Sequence, residues 1–570
     1  MKQIKLTSVF LVLCISMAFA QKEKSIDYSS LINEYRELIK TEMPKNNIVG
    51  MSIALTDKNG LIWAEGYGYE NLTDSLKANA NTLYGIGSIT KLFTASAIMQ
   101  LAEQHKLDID KPVTLYVPEF KMKSLYGNID GITTRNLLSH HSGFPSDLMG
   151  LNAETENYKN VVSYLNEQYT AFPPNYMRVY SNIGYCFLGY EIDKISGLDY
   201  PAYITNNIFK PLGMQNSIIR TEPASLKGSS KTYNQNKEQK DEPFMMNLPA
   251  GGIFSTVKDM SLFIQSWLLD ESPILKKETI DQIFTAQNTD NVFHLGGEFG
   301  IGWELKKSKY NYRAEHGGAT FYYRAQIAIN RSAGLGVIIL SNSATAGSFT
   351  WRAGEILDKA CAIKGISEIA IKGFDAESII KRKINLKEYQ GNYGQNMGWY
   401  PLIAKDSALI GKPGNDSLAF KLKPDGYFGL AVKQGDAWNK VPGQQFIFTE
   451  LGGEKVFMAQ AWGDWVVASK KYPEQIINQT WKRRLGKYKI VNNNANSMFK
   501  DAELLVGENT IYISGKTPFS DQPVAMPLEI RNDNLASVLG TSTYSGSMLQ
   551  VRNENGHENL YFMGVIMEKL

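Results

Sequence analysis

An α+β domain built on an antiparallel sheet, followed by an all-β region, is the fold that this 570-residue sequence predicts. Between residue 26 and about residue 365, segments of helical spacing are mixed with strand-like segments. Beyond about residue 385 the texture changes to short alternating stretches split by Gly, Asn and Asp turns, which is all-β patterning. Length agrees, because 570 residues exceed one ordinary domain.

The elements follow in order. Residues 26–45 read as a helix, with Leu31, Ile32, Tyr35, Leu38 and Ile39 at helical spacing. Two strands follow at 48–56 and 61–67, joined by Asp57-Lys58-Asn59-Gly60, a hairpin turn whose glycine supplies positive φ. Segment 88–103 reads as a helix that is small or apolar all round apart from Lys91, and a helix of that kind is buried. A lysine in its first turn therefore needs a reason. From 105 to 260 short helices mix with Gly-Pro loops. Strands return at 300–305, 322–329 and 334–341, the last two an antiparallel pair across Asn330-Arg331-Ser332-Ala333. A helix at 351–362 closes the first unit, which spans 21–365. Residues 366–385, rich in Ile and Lys, read as a linker. Residues 386–570 form the β-rich region. In it, Leu386-Lys387-Glu388-Tyr389-Gln390-Gly391-Asn392-Tyr393 is echoed by Arg484-Leu485-Gly486-Lys487-Tyr488-Lys489-Ile490. Each copy opens a unit of roughly 90 residues, either one of two β-modules or one half of a single barrel.

Composition narrows the function classes. Hydrophobic residues make up 43% and charged residues 21%, as in a globular chain, and a net charge of +3 gives no reason to expect a nucleic-acid partner. Lys2 and Lys5, the apolar run 6–19 and Ala18-Phe19-Ala20 read as an export signal cleaved near Ala20, which predicts a periplasmic or secreted protein. The large Leu13 before Cys14 argues against a lipoprotein signal. No later stretch approaches the roughly 18 uncharged apolar residues of a membrane helix, so no transmembrane segment is expected. Cleavage leaves Cys186 and Cys361, too few for a disulfide scaffold, and Cys186 reads as a buried free thiol. His140-His141 are adjacent, and no Cys or His spacing resembles a zinc site, so neither a metal nor another cofactor is expected.

Three motifs carry chemistry. In Ser88-Ile89-Thr90-Lys91 the spacing puts serine and lysine on one helix face. A serine hydroxyl needs a base in contact to act as a nucleophile. Lysine facing an apolar interior has its neutral form favoured, and that form can take the proton. Ser-x-x-Lys also occurs at Ser255, Ser378 and Ser497, but only Ser88 enters a long apolar helix from a glycine loop. The plainer alternative is a helix cap with a solvated lysine. Tyr180-Ser181-Asn182 offers a tyrosine that can relay a proton and an asparagine that can orient a substrate amide and bond the lysine. Its alternative is a core tyrosine before a capping Ser or Asn. His316-Gly317-Gly318-Ala319 lies just before the strand at 322, and its glycines let a substrate backbone come close. The Ala319 N–H can pair with that of Ser88 as an oxyanion hole. Its alternative is a glycine turn with a surface histidine.

The ordered set Ser-x-x-Lys, Tyr-x-Asn and basic-x-Gly resembles the serine β-lactamase and penicillin-binding protein superfamily. It is most similar to class C β-lactamases and to D-alanyl-D-alanine carboxypeptidases and esterases related to them. The stretches 132–145, 211–214 and 249–256 are similar to that family too, and the likeness runs colinearly from about 30 to 360. The resemblance implies a β-lactamase/transpeptidase-like fold, with Ser88 acylated, Lys91 and Tyr180 moving protons, and Asn182, His316, Gly317, Gly318 and Ala319 binding substrate. The substrate is then a small molecule or peptide, with cell-wall peptides one source: a D-amino-acid peptide, an ester or amide, or a β-lactam. The region 386–570 resembles accessory domains that wall the cleft or bind a partner. One departure stands out. His316 occupies the place where β-lactamases carry lysine, and a histidine with an ordinary pKa near 6.5 is mostly neutral at neutral pH. That weakens the case for hydrolysis of carboxylate-bearing antibiotics. Two other readings compete: a penicillin-binding sensor of the same fold with little turnover, and a carbohydrate-binding or adhesion protein working through its β region.

Overall fold

The computed structural model describes residues 26–570 apart from 148–156, 245, 292, 294–296, 372–374, 381–383, 396–397, 412–416, 436, 462–463, 493–500, 508–509, 518–519, 542 and 555. The export signal read at 1–20, and Cys14 with it, lies outside the described residues.

The first unit is built on an eight-stranded antiparallel sheet. Its order is Leu76–Lys77, Gly60–Asn71, Gly50–Asp57, Leu335–Ser341, Arg324–Asn330, Asn311–Ala319, Glu304–Ser308 and Glu298–Phe299. The two ends of the unit meet at its centre, where Met51 pairs with Ser341 and Asp57 with Leu335. The central strand Leu335–Ser341 is buried throughout, because helices cover both faces of the sheet. Successive side chains serve opposite faces. Leu335, Val337 and Ile339 pack with the helices Ser29–Lys45 and Ala353–Ile363, while Ile338 and Leu340 pack with Val257–Leu268 and the helical region. The first helix buries Leu31, Tyr35, Ile39 and Met43, the spacing that its sequence predicts.

Two local expectations change. The strand expected at 300–305 begins only at Glu304. Ile301 and Trp303 are buried, so their alternation reflects core packing, and Gly302 sits at φ +80 against Ala95. The strand Asn311–Ala319 was not read from the sequence. Two of its buried positions carry Glu315 and His316 in place of apolar residues, with the half-buried Arg313 bridging Glu315 and Asp358. Charge pairing there hides the alternation that marks a strand.

The C-terminal region is two barrels, which decides between the alternatives left open by the echo. The first is closed by pairing of Ser417–Leu422 with Phe428–Gln434 and is filled by Tyr393, Phe420, Phe446, Phe448 and Phe457. The second has eight strands from Gly486–Ile490 to Val565–Lys569, closed where Tyr488 pairs with Lys569. Each echo copy opens one barrel through a short helix, Leu386–Tyr389 or Gln479–Arg484. In each a tyrosine hydroxyl donates back into that helix: Tyr393 to Tyr389 O at 2.9 Å, and Tyr488 to Arg484 O at 2.6 Å. The segment read as a linker holds a helix, Ala376–Ile380, and Ala376 packs on the first barrel. Cys186 and Cys361 are buried and unpaired. Among the described residues no helix is long and apolar enough to cross a membrane.

Candidate active site

The Ser88 turn is fixed from two sides. Tyr84–Gly85 pairs with Ile253–Ser255, and Ile86 N donates to Ile253 O at 3.0 Å. Gly87 then takes φ +51, and the turn Gly87–Ile89 runs directly into the helix Thr90–Glu103. Ser88 is half-buried, whereas every residue from Thr90 to Leu101 is buried. The turn lies against the far end of the strand Asn311–Ala319. That strand pairs with Glu304–Ser308 only as far as Glu315, so His316–Ala319 runs on with one edge open to the turn. A Cβ on Gly87 would stand 2.7 Å from Ala319 N, and one on Gly318 only 2.0 Å from Ile86 O. Both glycines are required for this backbone approach, which sets Ala319 beside Ser88. Gly318→Ala is expected to push the turn off the strand and cut turnover at least about a hundred-fold, the scale of losing one oxyanion donor. A circular-dichroism spectrum unlike that of the parent would show that the loss came from misfolding instead.

Lys91 is fully buried, and its Nζ has three polar neighbours: Ser88 Oγ at 3.1 Å, Asn182 Oδ1 at 2.7 Å and Ala250 O at 2.9 Å. Two of these oxygens can only accept. The third belongs to a hydroxyl that can also donate. An ammonium satisfies all three by donating to each, and a neutral amine, with two N–H groups and one lone pair, does so if Ser88 donates to it. Burial pushes the Lys91 pKa down to about 7, against the opposing influence of Asp147 and Cys186. Both forms are thus accessible near neutral pH, as a base that must gain and lose a proton requires.

The capping alternative for Tyr180-Ser181-Asn182 holds at Ser181, and the expected bond from Asn182 to the lysine is present. Ser181 is the cap of the helix Asn182–Ser196, accepting from Gly184 N at 2.9 Å. Asn182 instead reaches Lys91 and donates to Asp147 Oδ2 at 2.7 Å. Tyr180 lays its ring 4.8 Å from Lys91 Nζ. Burial holds its phenol well above the usual range, with the Ser88 hydroxyl opposing. Tyr180 therefore carries its proton at neutral pH.

The His316 side chain does not reach the surface. It is 3% exposed and stands behind Tyr180, with ring centroids 6.4 Å apart, whereas Gly317 and Ala319 are exposed. Its Nδ1 lies 2.7 Å from Gly317 O, an oxygen that can only accept, so Nδ1 carries the proton. Burial pushes its pKa down to about 4, with Glu304 opposing, and the ring is neutral at neutral pH.

Several residues escaped the sequence reading. Ala250 contributes only a carbonyl, which has no side-chain signature. Asp147 lies in a loop with no periodicity, and burial raises its pKa to about 6 against the Asn182 bond and Lys91. His140, at φ +63, accepts from Ser181 N at 3.1 Å and packs 4.4 Å from the Tyr180 ring, a positioning role for half of the His140-His141 pair. Arg178 sits 4.3 Å above Phe299 and pairs with Glu304 at 3.5 Å. Among the described residues no group of His, Cys, Asp and Glu is arranged to hold a metal ion.

The beta-lactamase family model matches residues 35–359. Protein flp of Staphylococcus aureus (strain N315) is 28% identical over 319 residues, which cover 54% of this chain and 62% of flp. The chain thus spans less than two thirds of that relative. The fold recurs in the octameric penicillin-binding protein homologue from Pyrococcus abyssi, with a TM-score of 0.52 and 20% identity over 87% of this chain and 99% of that one. It recurs in SurE, whose structure with D-Leu gives a TM-score of 0.56 and 19% identity over 78% of this chain and 100% of that one. The family match takes in the Ser88 turn, the Tyr180 segment and the strand of His316 alike. The chain belongs to the beta-lactamase family, within the superfamily of serine β-lactamases and penicillin-binding proteins.

Proposed function

We propose that this protein is an exported serine hydrolase working through an acyl-enzyme on Ser88, acting on a small ester, amide or D-amino-acid peptide in preference to a carboxylate-bearing β-lactam. The observation that carries this is a fully buried Lys91 whose Nζ lies 3.1 Å from Ser88 Oγ and whose pKa burial brings down to about 7, so that its neutral form can take the Ser88 proton. Ser88 Oγ attacks the substrate carbonyl as its proton passes to Lys91. The backbone N–H groups of Ser88 and Ala319 hold the oxyanion. Tyr180, protonated and beside Lys91, gives its proton to the leaving group and recovers one from Lys91. Water then attacks the acyl-serine, Lys91 or Tyr180 takes its proton, and the acid is released with Ser88 restored.

The substrate preference rests on His316. A neutral, buried ring offers no cation for a substrate carboxylate, and the neighbouring Arg178 is paired with Glu304. SurE, a structural neighbour solved with D-Leu, makes D-amino-acid substrates a reasonable first choice. A panel of nitrocefin, D-Ala-D-Ala peptides and short p-nitrophenyl esters tests the proposal. Turnover of the esters well above nitrocefin is expected, and above the D-Ala-D-Ala peptides too, because their C-terminal carboxylate meets the same neutral ring. A stable Ser88 adduct with no product from any of them would instead mark a sensor, and fast nitrocefin hydrolysis would overturn the preference.

A further inference from the structure

The two N–H groups assigned to the oxyanion come from separate sheets. Ser88 follows Tyr84–Gly85, which belongs to a small three-stranded sheet with Ile253–Ser255 and Ile218–Ile219. Ala319 ends the strand Asn311–Ala319 of the large sheet. The pair works only if the two sheets keep a fixed spacing, because a misplacement of about 1 Å can cost on the order of a hundred-fold in rate. The hairpin that follows Ala319 is poorly suited to hold that spacing by itself. Ala319 pairs with Arg324, and Thr320 N donates to Tyr323 O at 3.1 Å, so the loop is Phe321-Tyr322. Two-residue loops that match the twist of their strands put one or both residues at positive φ. Neither Phe321 nor Tyr322 is at positive φ. The second closing bond is made by a side chain, with Tyr323 N donating to Thr320 Oγ1 at 3.0 Å.

Two side chains grip this loop instead. Glu242 Oε1 accepts from Phe321 N at 3.1 Å, and Glu242 Oε2 accepts from Tyr322 N at 3.0 Å. Arg324 Nη1 donates to Thr320 O at 2.8 Å and to Tyr323 O at 2.7 Å. A carboxylate therefore takes both loop N–H groups and a guanidinium takes the flanking carbonyls, and hydrogen bonds to charged groups are the strong ones. Glu242 is half-buried and lies just beyond the short strand Gln239–Lys240. Its own carbonyl accepts from Arg220 Nη1 at 2.9 Å. Arg220 is 7% exposed and directly follows Ile218–Ile219, and its backbone N donates to Gly252 O at 3.0 Å. Contacts thus run from the small sheet through Arg220 and Glu242 to the loop beyond Ala319. With the backbone approach of Gly87 and Gly318 they close a ring, so the two sheets are fastened on both sides of the Ala319 N–H.

We propose that Glu242 is a positioning residue for the oxyanion hole: its carboxylate fixes the Phe321-Tyr322 loop and so sets the Ala319 N–H at its working distance from that of Ser88. This rests on the acyl-enzyme reading of Ser88. Glu242 acts through the strand and moves no proton.

The test compares p-nitrophenyl acetate with p-nitrophenyl thionoacetate, in which sulfur replaces the carbonyl oxygen. Sulfur accepts hydrogen bonds poorly, so the thionoester draws little from the oxyanion donors, while both esters need Ser88 and Lys91 alike. The full-length protein should favour the oxygen ester in kcat/KM. Glu242→Ala should lower kcat/KM for the oxygen ester by about ten-fold or more, part of the loss from deleting a donor outright. The thionoester should change little, so that the ratio falls. Glu242→Gln keeps the shape and one acceptor oxygen, and its ratio should lie between those of the parent and the alanine variant. It also reads the proposal if alanine unfolds the protein. No preference for the oxygen ester in the parent, or equal slowing of both esters in a well-folded variant, or an unchanged ratio, would overturn the positioning role and leave Glu242 as a brace for the fold. Failure of the acyl-enzyme reading looks different: neither ester is hydrolysed, and a fluorophosphonate leaves Ser88 unlabelled.

Discussion

Ser88→Ala abolishes turnover while leaving the fold intact: the expected loss is at least about a thousand-fold, the scale seen when the nucleophile of an acyl-transfer site is removed. The change deletes one oxygen from a half-buried position, so it opens no significant cavity. It removes one contact of Lys91 Nζ and leaves those to Asn182 and Ala250 in place. The measurement is hydrolysis of the best ester of the panel, with thermal unfolding of parent and variant compared. Retained turnover in a well-folded variant would mean that the nucleophile lies elsewhere.

The second large effect concerns the base. Lys91→Ala should cost about a hundred- to ten-thousand-fold in kcat/KM, the range for a positioned general base. Lys91→Arg is the sharper variant, because it keeps a cation at the position but cannot give up its proton. If Lys91 served as a fixed positive charge, arginine would rescue much of the activity. The proposed mechanism needs a lone pair at Nζ, so arginine should be as impaired as alanine. Asn182→Ala should act in the same direction and more mildly, by removing one of the two acceptors that orient the amine.

Much of this site was legible because it obeys helical geometry. Ser88 and Lys91 are three residues apart on a helix whose remaining face is apolar, so the burial of the lysine follows from its neighbours. Tyr180 and Asn182 were legible as a motif, although Ser181 proved to be the cap. The placement of His316 was not. Its strand buries Glu315 and His316 together, and only tertiary pairing with Arg313, Lys306 and the Tyr180 region explains why polar residues point inwards. Ala250 and Asp147 were invisible for a simpler reason, since one acts through its backbone and the other through a loop. In the C-terminal region the alternation predicted strands and the echo predicted two units. Which strands close each barrel depends on pairing between residues far apart, such as Tyr488 with Lys569, and no local pattern records that.

The central claim is that an uncharged lysine deprotonates Ser88, and the rate of covalent labelling by a fluorophosphonate as a function of pH tests it most directly. The reaction needs no knowledge of the natural substrate. Because burial lowers the Lys91 pKa, labelling should be slow in acid, rise as the ammonium loses its proton, reach half-maximum near the Lys91 value of about 7, and level off above it. Peptide mapping should place the adduct on Ser88. A rate still climbing at the pH where an ordinary lysine titrates, a rate independent of pH, or an adduct on another residue would contradict the account.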